Sequence, residues 1–195
     1  MREGQSKLTA EDMFKFMQSK IRKLDLDTSE SRASLAHLVR AVGKRPEEAS
    51  ADVWAITLEG MPDSWATAGE EASYIENAVH TALSLYALHK QGNSGSVNMF
   101  GKENNKVLSV GLATRKLIQQ RATMEASATR RFNVLATAQD YRELTNHLRG
   151  LIQLFSRDGI KLDYSRLAQD LYFMQFPEGI SRVTFKWGRD FYFTK

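Results

Sequence analysis

Two adjacent arginines, Arg130 and Arg131, come just before an apolar run in the segment "TRRFNVLATA" (residues 129–138). Helical periodicity predicts that a helix begins at this point, where the positive end of the helix dipole disfavours cations. An anion bound there would offset the misplaced charge, because guanidinium groups and the free N–H groups of a helix N-terminus both bind phosphate. The segment therefore indicates a phosphate-binding site.

More basic residues occur on the helices predicted to either side of this pair. Within "KVLSVGLATRKLIQQR" (residues 106–121), helical periodicity turns Arg115 and Lys116 outward, and the segment contains no acidic residue. Arg142 and Arg149 are seven residues apart and so share one face of the next predicted helix. The alternative is structural: Arg142 pairs with acidic neighbours, and Arg149 lays its stem on apolar side chains.

The charge is divided unevenly along the 195 residues. Residues 1–100 contain 11 Lys and Arg against 14 Asp and Glu, whereas residues 101–195 contain 16 against 9. The net charge of +4 therefore comes from the second half. Such an asymmetry favours a polyanion as partner, with an ordinary solvated surface as the alternative.

Catalytic and metal chemistry find little support in the residue types. The absence of cysteine excludes disulfides, thiolate metal sites and cysteine nucleophiles. Glu76 and His80 are one helical turn apart, but one such pair makes a weak metal site, because di-iron bundles need several inward ligands. The segment "GSVNMFGKE" (residues 95–103) lacks the glycine spacing and the Ser or Thr of a phosphate-binding loop. We therefore predict no catalytic residue, no metal and no cofactor.

Export and membrane insertion are not expected either. No apolar run approaches the roughly 18 residues of a membrane-spanning helix. The N-terminal segment "MREGQSKLTAEDMF" lacks the apolar core of a signal peptide. We therefore expect a cytoplasmic protein with no membrane partner.

Helical periodicity dominates the chain and predicts an all-α fold, with roughly eight to nine helices in two small bundles packed together. The predicted helix starts are a capping box of Thr9 with Asp12, Thr28 or Ser29, Pro46, the segment from residue 70, Val107, Thr129, Asp140 and Asp163. The segment 92–101, rich in Gly and Ser, interrupts the periodicity where the charge changes. It divides the chain into an N-terminal domain (1–95) and a basic C-terminal domain (96–195). The tail "SRVTFKWGRDFYFTK" fits either a strand or a terminal helix.

A collinear set of segments resembles a known family from about residue 28 to the C-terminus. The segments are "RASLAHLVRAVGKRPEEASADVWAITLEGMP", "YALHKQG", "NMFGK", "SVGLATRKL", "RRFNVLATA", "LTNHLRGLIQLF", "LDYSRLAQDLYFMQ" and "VTFKWGRDFYF". Together they are similar to CasB, the small-subunit family of the type I-E CRISPR Cascade complex. The resemblance implies an all-helical, non-catalytic protein, present as two copies beside the helical backbone subunit and the large subunit. It also implies a basic face along the guide RNA and target DNA that stabilises the R-loop in antiviral defence.

The resemblance carries the family's basic positions onto Arg40, Lys44, Arg115, Lys116, Arg130, Arg131, Arg149 and Arg189. Together with Arg142, which the helical spacing adds, these are the predicted nucleic-acid-binding residues. The resemblance also favours a helix for the C-terminal tail. A different class of function stays open: a helical adaptor whose basic half contacts an acidic protein.

Overall fold

The computed structural model describes residues 3–67, 69–101 and 108–193, and for residues 3–10 it describes the backbone alone. Within these ranges the regular structure is helical, which confirms the all-α prediction. The α-helices are α1 (Glu3–Asp25), α2 (Ser29–Arg40), α3 (Ala51–Leu58), α4 (Tyr74–Lys90), α5 (Val110–Gln120), α6 (Glu125–Asn133), α7 (Tyr141–Arg157), α8 (Tyr164–Met174) and α9 (Gly179–Tyr192). None of the helices in these ranges is both long and apolar enough to cross a membrane.

Local capping explains where several helices begin. The hydroxyl of Thr28 accepts the Ser31 N–H at the start of α2. Ser73 and Glu76 form a reciprocal capping box at the start of α4. The carboxylates of Asp140 and Asp163 accept the Glu143 and Arg166 N–H groups at the starts of α7 and α8, so the predicted starts at these two residues are confirmed.

Four predicted helix starts need correction or fall outside the described ranges. The capping box at Thr9 is wrong, because α1 already begins at Glu3. Pro46 starts only a three-residue 3-10 helix, and α3 follows from Ala51. The start at Val107 lies outside the described residues, and α5 begins at Val110. The segment from residue 70 becomes helical at Tyr74, where the Ser73 capping box forms.

The helix predicted from Thr129 to Ala138 is also different. The α6 helix begins at Glu125 and ends at Asn133, and a 3-10 helix continues from Val134 to Thr137. The early turns bury only Ala128, so they lack the apolar stripe on which periodicity depends. Arg130 and Arg131 consequently lie in the last turn of a helix rather than in its first.

The C-terminal tail is helical, as the family resemblance favours. Val183 and Trp187 are buried in α9 four residues apart, whereas Phe185 between them is 69% exposed. The alternation of Val183, Phe185 and Trp187 is typical of a strand, although only Val183 and Trp187, which have helical spacing, face the core.

The core is built around α8, in which Tyr164, Ala168 and Leu171 are fully buried. This helix packs against α1, α4 and α9, and α4 in turn packs against α2, α7 and α8. Buried hydrophobic residues from both sides of residue 95 belong to one cluster. The division into domains 1–95 and 96–195 stays a prediction.

The α5 and α9 helices approach each other closely at Gly111. A Cβ atom at this position would overlap the backbone carbonyl of Trp187. Next to this approach, the Ser109 hydroxyl at the start of α5 donates to the Asp190 carboxylate on α9 at 2.5 Å. The absence of a side chain at residue 111 therefore sets the distance between these helices.

We predict that Gly111→Ala lowers the free energy of unfolding by about 1–3 kcal/mol, because a backbone atom must move to admit the methyl group. Gly188→Ala in α9 is the matched control, since its Cβ would meet nothing within 4 Å. That control should stabilise by roughly 0.5–1 kcal/mol, since alanine is the better helix former. Urea titrations measure both, and equal midpoints for the two variants would contradict the close approach.

A buried polar contact joins α4 to α8. His89 Nδ1 lies 2.9 Å from the Tyr164 hydroxyl, and that hydroxyl lies 3.3 Å from the Leu85 carbonyl. Burial lowers the pKa of His89 to about 4, although its contact with the Ile160 backbone opposes the shift. The folded protein therefore keeps this imidazole neutral down to mildly acidic pH.

We predict that this histidine makes stability depend on pH. Its pKa is lower in the folded state than the value of about 6.5 in the unfolded chain, so the unfolded chain takes up the proton first. The contribution of neutral His89 to the free energy of unfolding is complete above about pH 6.5, and it is lost as the pH falls towards 4. Between pH 7 and 5 the wild type should lose roughly 1–2 kcal/mol more than His89→Gln, measured by urea unfolding at each pH. Parallel losses in the two proteins would contradict this assignment.

Candidate nucleic-acid interface

Three of the predicted residues, Lys44, Arg142 and Arg149, surround one cavity of about 300 Å³. The cavity lies between the turn that follows α2, the middle of α4 and the first half of α7. Its walls also include Ala41, Val42, Gly43, Arg45, Glu48, Asn77, His80, Thr81, Ser84, Leu85, Asp140, Tyr141, Thr145 and Asn146. Residues far apart in the sequence therefore form one basic site.

The turn after α2 positions Lys44. Gly43 adopts a φ of +83°, which L side chains rarely adopt, and so reverses the chain. The Lys44 carbonyl then lies 3.1 Å from Nε2 of His80 on α4. The backbone of Lys44 is held by a buried histidine, and its side chain is exposed.

Arg45 is a further basic residue at this cavity that the sequence analysis missed. Its backbone N–H and its guanidinium both bond the Glu48 carboxylate. The Arg45 N–H, more than the charges of Arg45 and Arg142, lowers the pKa of Glu48. The adjacency of Arg45 to Lys44 in "GKRPEE" was the available signal.

The α7 helix positions the other two cations of the cavity. Asp140 and Glu143 are occupied elsewhere, because Asp140 accepts the Glu143 N–H and Glu143 accepts the Gln139 N–H. Within the described part of the chain, no ion pair joins Arg142 to either carboxylate. Arg149 is exposed two turns later on the same helix. Neither of these two neighbouring carboxylates therefore neutralises Arg142.

Arg130 and Arg131 require a correction. Both are exposed in the last turn of α6, where the helix dipole favours cations, and not in the first turn of a helix as predicted from the sequence. Nη1 of Arg131 lies 2.9 Å from the place of a Cβ on Gly150, so Arg131 reaches α7 next to Arg149. Arg130 borders a separate groove with Thr129 and Thr137.

The other predicted residues are distributed over the surface. Arg115 is half-buried and donates to the Phe191 carbonyl near the end of α9, and Lys116 beside it is half-buried as well. Arg189 is exposed and borders a groove between α6 and α9. Arg40 lines a different cavity from Lys44, together with the end of α4. The structure therefore gathers four of the nine residues around α7 and disperses the rest.

Glu76 and His80 do not form a metal site. The Glu76 carboxylate accepts the Ser73 N–H at 2.6 Å, while His80 faces Lys44. Burial lowers the pKa of His80, which keeps its ring neutral. Among the residues that the structure describes, no group of three or more His, Cys, Asp or Glu side chains could hold a metal ion.

Comparisons with known proteins agree with this architecture. The chain matches CasB from Thermobifida fusca with 28% identity and a TM-score of 0.70, over 92% of this chain and 97% of that one. A chain of a CRISPR RNA-guided surveillance complex has 17% identity and a TM-score of 0.67, over 92% and 91%. CasB from M. ruber has 21% identity and a TM-score of 0.61, over 90% and 92%. These last two likenesses concern the fold.

No curated protein matches the chain. The family model of the CRISPR-associated protein Cse2 matches residues 34–192, which include every helix from α3 to α9. This match spans most of the sequence and includes all nine predicted basic residues. The chain belongs to the CRISPR-associated Cse2 family, whose members include the small subunit of Cascade.

Proposed function

We propose that the protein is the non-catalytic small subunit of a type I-E Cascade complex, and that it holds nucleic-acid phosphates without reading bases. Its partners are the helical backbone subunit, the large subunit, the guide RNA and the target DNA, with two copies in each complex. The contact stabilises the R-loop in the cytoplasm. Family membership and the likeness to a chain of an RNA-guided surveillance complex support this proposal.

The observation that carries the proposal is the basic rim, which we define as Lys44, Arg45, Arg142 and Arg149 around the cavity mouth. All four side chains are exposed. Glu48 and Asp140 also border the cavity, but their carboxylates already accept the Arg45 and Glu143 N–H groups. The rim therefore presents an excess of cationic donors to a phosphate.

Energetics explain why a few such contacts matter. Guide–target pairing replaces a DNA duplex with a hybrid of similar stability, so strand exchange is nearly balanced. Phosphate contacts position a nucleic acid without specifying its sequence. A subunit that supplies only phosphate contacts can therefore shift the balance towards the open R-loop.

We predict a salt-dependent affinity for single-stranded DNA. Each phosphate contact releases condensed counterions, so Arg142→Ala and Arg149→Ala should each lower the slope of log K against log salt by about 0.7. Fluorescence anisotropy at several salt concentrations measures the slopes. Arg157→Ala, at the exposed far end of α7, is the matched control and should keep the wild-type slope.

Two outcomes of this titration would contradict the proposal. One is a wild-type slope near zero, and the other is a slope that neither rim substitution changes. Binding to an acidic protein in place of DNA would then favour the helical adaptor.

We also predict an effect in the assembled complex. Arg142→Glu combined with Arg149→Glu should weaken target-DNA binding at least about tenfold, because a charge-assisted hydrogen bond contributes roughly 1.5–3 kcal/mol. Arg157→Glu with Arg182→Glu makes the same charge change on exposed residues outside the cavity. Gel-shift titrations of purified complexes measure the affinities, and subunit stoichiometry verifies assembly. Equal affinities for the two fully assembled double variants would argue against the basic rim.

A further inference from the structure

Three residues that line the cavity beneath the basic rim have a buried polar atom without a hydrogen-bond partner: His80, Ser84 and Tyr141. Two of these atoms, Nδ1 of His80 and Oγ of Ser84, belong to α4. The two residues are 1% and 2% exposed, lie one turn apart on α4 and both line the cavity. Buried polar atoms in folded proteins nearly always have a partner, so this pair indicates a place for a ligand.

The hydrogen-bonding character of the two atoms follows from their surroundings. His80 is neutral, and its Nε2 donates its proton to the Lys44 carbonyl. Nδ1 therefore carries the lone pair and acts as an acceptor. The Ser84 hydroxyl can both donate and accept. Together they fit a flat ligand whose edge carries a donor and an acceptor close to each other.

The rest of the cavity fits the other parts of a nucleotide. Apolar side chains, including Ala41, Val42 and Leu85, contribute to the walls. The volume of about 300 Å³ lies at the lower end of the range for small-ligand sites. Cations at the mouth suit a phosphate, whereas a bare inorganic anion would use neither the apolar walls nor the two buried atoms.

We propose that this cavity takes one unstacked base of the single strand whose phosphates lie on the basic rim. This inference rests on the proposed function, because the strand must first bind there. His80 and Ser84 bond the edge of the base, and Lys44, Arg142 and Arg149 hold the adjoining phosphates. Every base has both donors and acceptors on its edges, so the contact anchors the strand without selecting its sequence.

Paired oligonucleotides provide the test. A base-bearing strand and a strand of the same length with one central abasic site differ by a single base and have the same phosphates. In both strands all positions except the central one are also made abasic, so that only one strand carries a base and it carries it at the centre. The wild-type protein should bind that strand more tightly. Ser84→Ala should reduce that preference by roughly 2- to 12-fold, the effect of one hydrogen bond. It should leave the salt slope unchanged, because it removes no charge.

Two further variants make the result unambiguous. Ser165→Ala is the matched control, because Ser165 is also buried with an unpartnered hydroxyl but does not line the cavity. Thr145→Phe narrows the cavity from α7 and should abolish the base preference even if Ser84→Ala proves too mild. Circular dichroism verifies that each variant is folded.

The outcomes separate this inference from the proposed function. Salt-dependent binding with equal affinity for the two strands would overturn the base pocket and leave the phosphate rim intact. Failure of both strands to bind would remove the proposed function itself. A third outcome is that adenosine monophosphate displaces a bound fluorescent mononucleotide while the two strands bind equally well. This result would assign the cavity to a free nucleotide and overturn the strand assignment.

Discussion

The burial of α8 between α1, α4 and α9 is the constraint on which the rest of the structure depends. Tyr164 at its first turn is fully buried and can keep its hydroxyl there only because His89 and the Leu85 carbonyl bond it. At the other side of α8, Asp170 accepts the Trp187 indole N–H at 2.8 Å and faces Lys186. Polar contacts therefore hold α8 to α4 at one end and to α9 on its other side.

The α4 helix transmits this constraint to the candidate interface. Its C-terminal half contacts α8 through His89, and its middle carries His80 and Ser84 at the cavity. Because α4 is held on α8, His80 can in turn hold the turn that carries Lys44. The α7 helix packs on α4 as well, so Arg142 and Arg149 border the same cavity as that turn. The packing of α4 therefore positions both the turn and the helix that supply the basic rim.

The sequence predicts well what depends on local chemistry. The all-α class and the caps at Thr28, Asp140 and Asp163 follow from side chains that act within a few residues. The start of α6 could not be predicted because its early turns bury almost nothing, and this error placed Arg130 and Arg131 at the wrong end of a helix. Lys44 and α7 are far apart in the sequence and meet at one cavity, and helical periodicity cannot predict such a long-range arrangement.

The central claim is that the basic rim contacts nucleic acid when the complex holds its target, and lysine footprinting tests it most directly. Lys44 and Lys161 are both exposed, but only Lys44 lies on the rim. Acetylation of the complex with and without target DNA, followed by mass spectrometry, compares their reactivities within one sample. The account predicts that target binding protects Lys44 and leaves Lys161 reactive. Equal reactivity of Lys44 in the two states would contradict it.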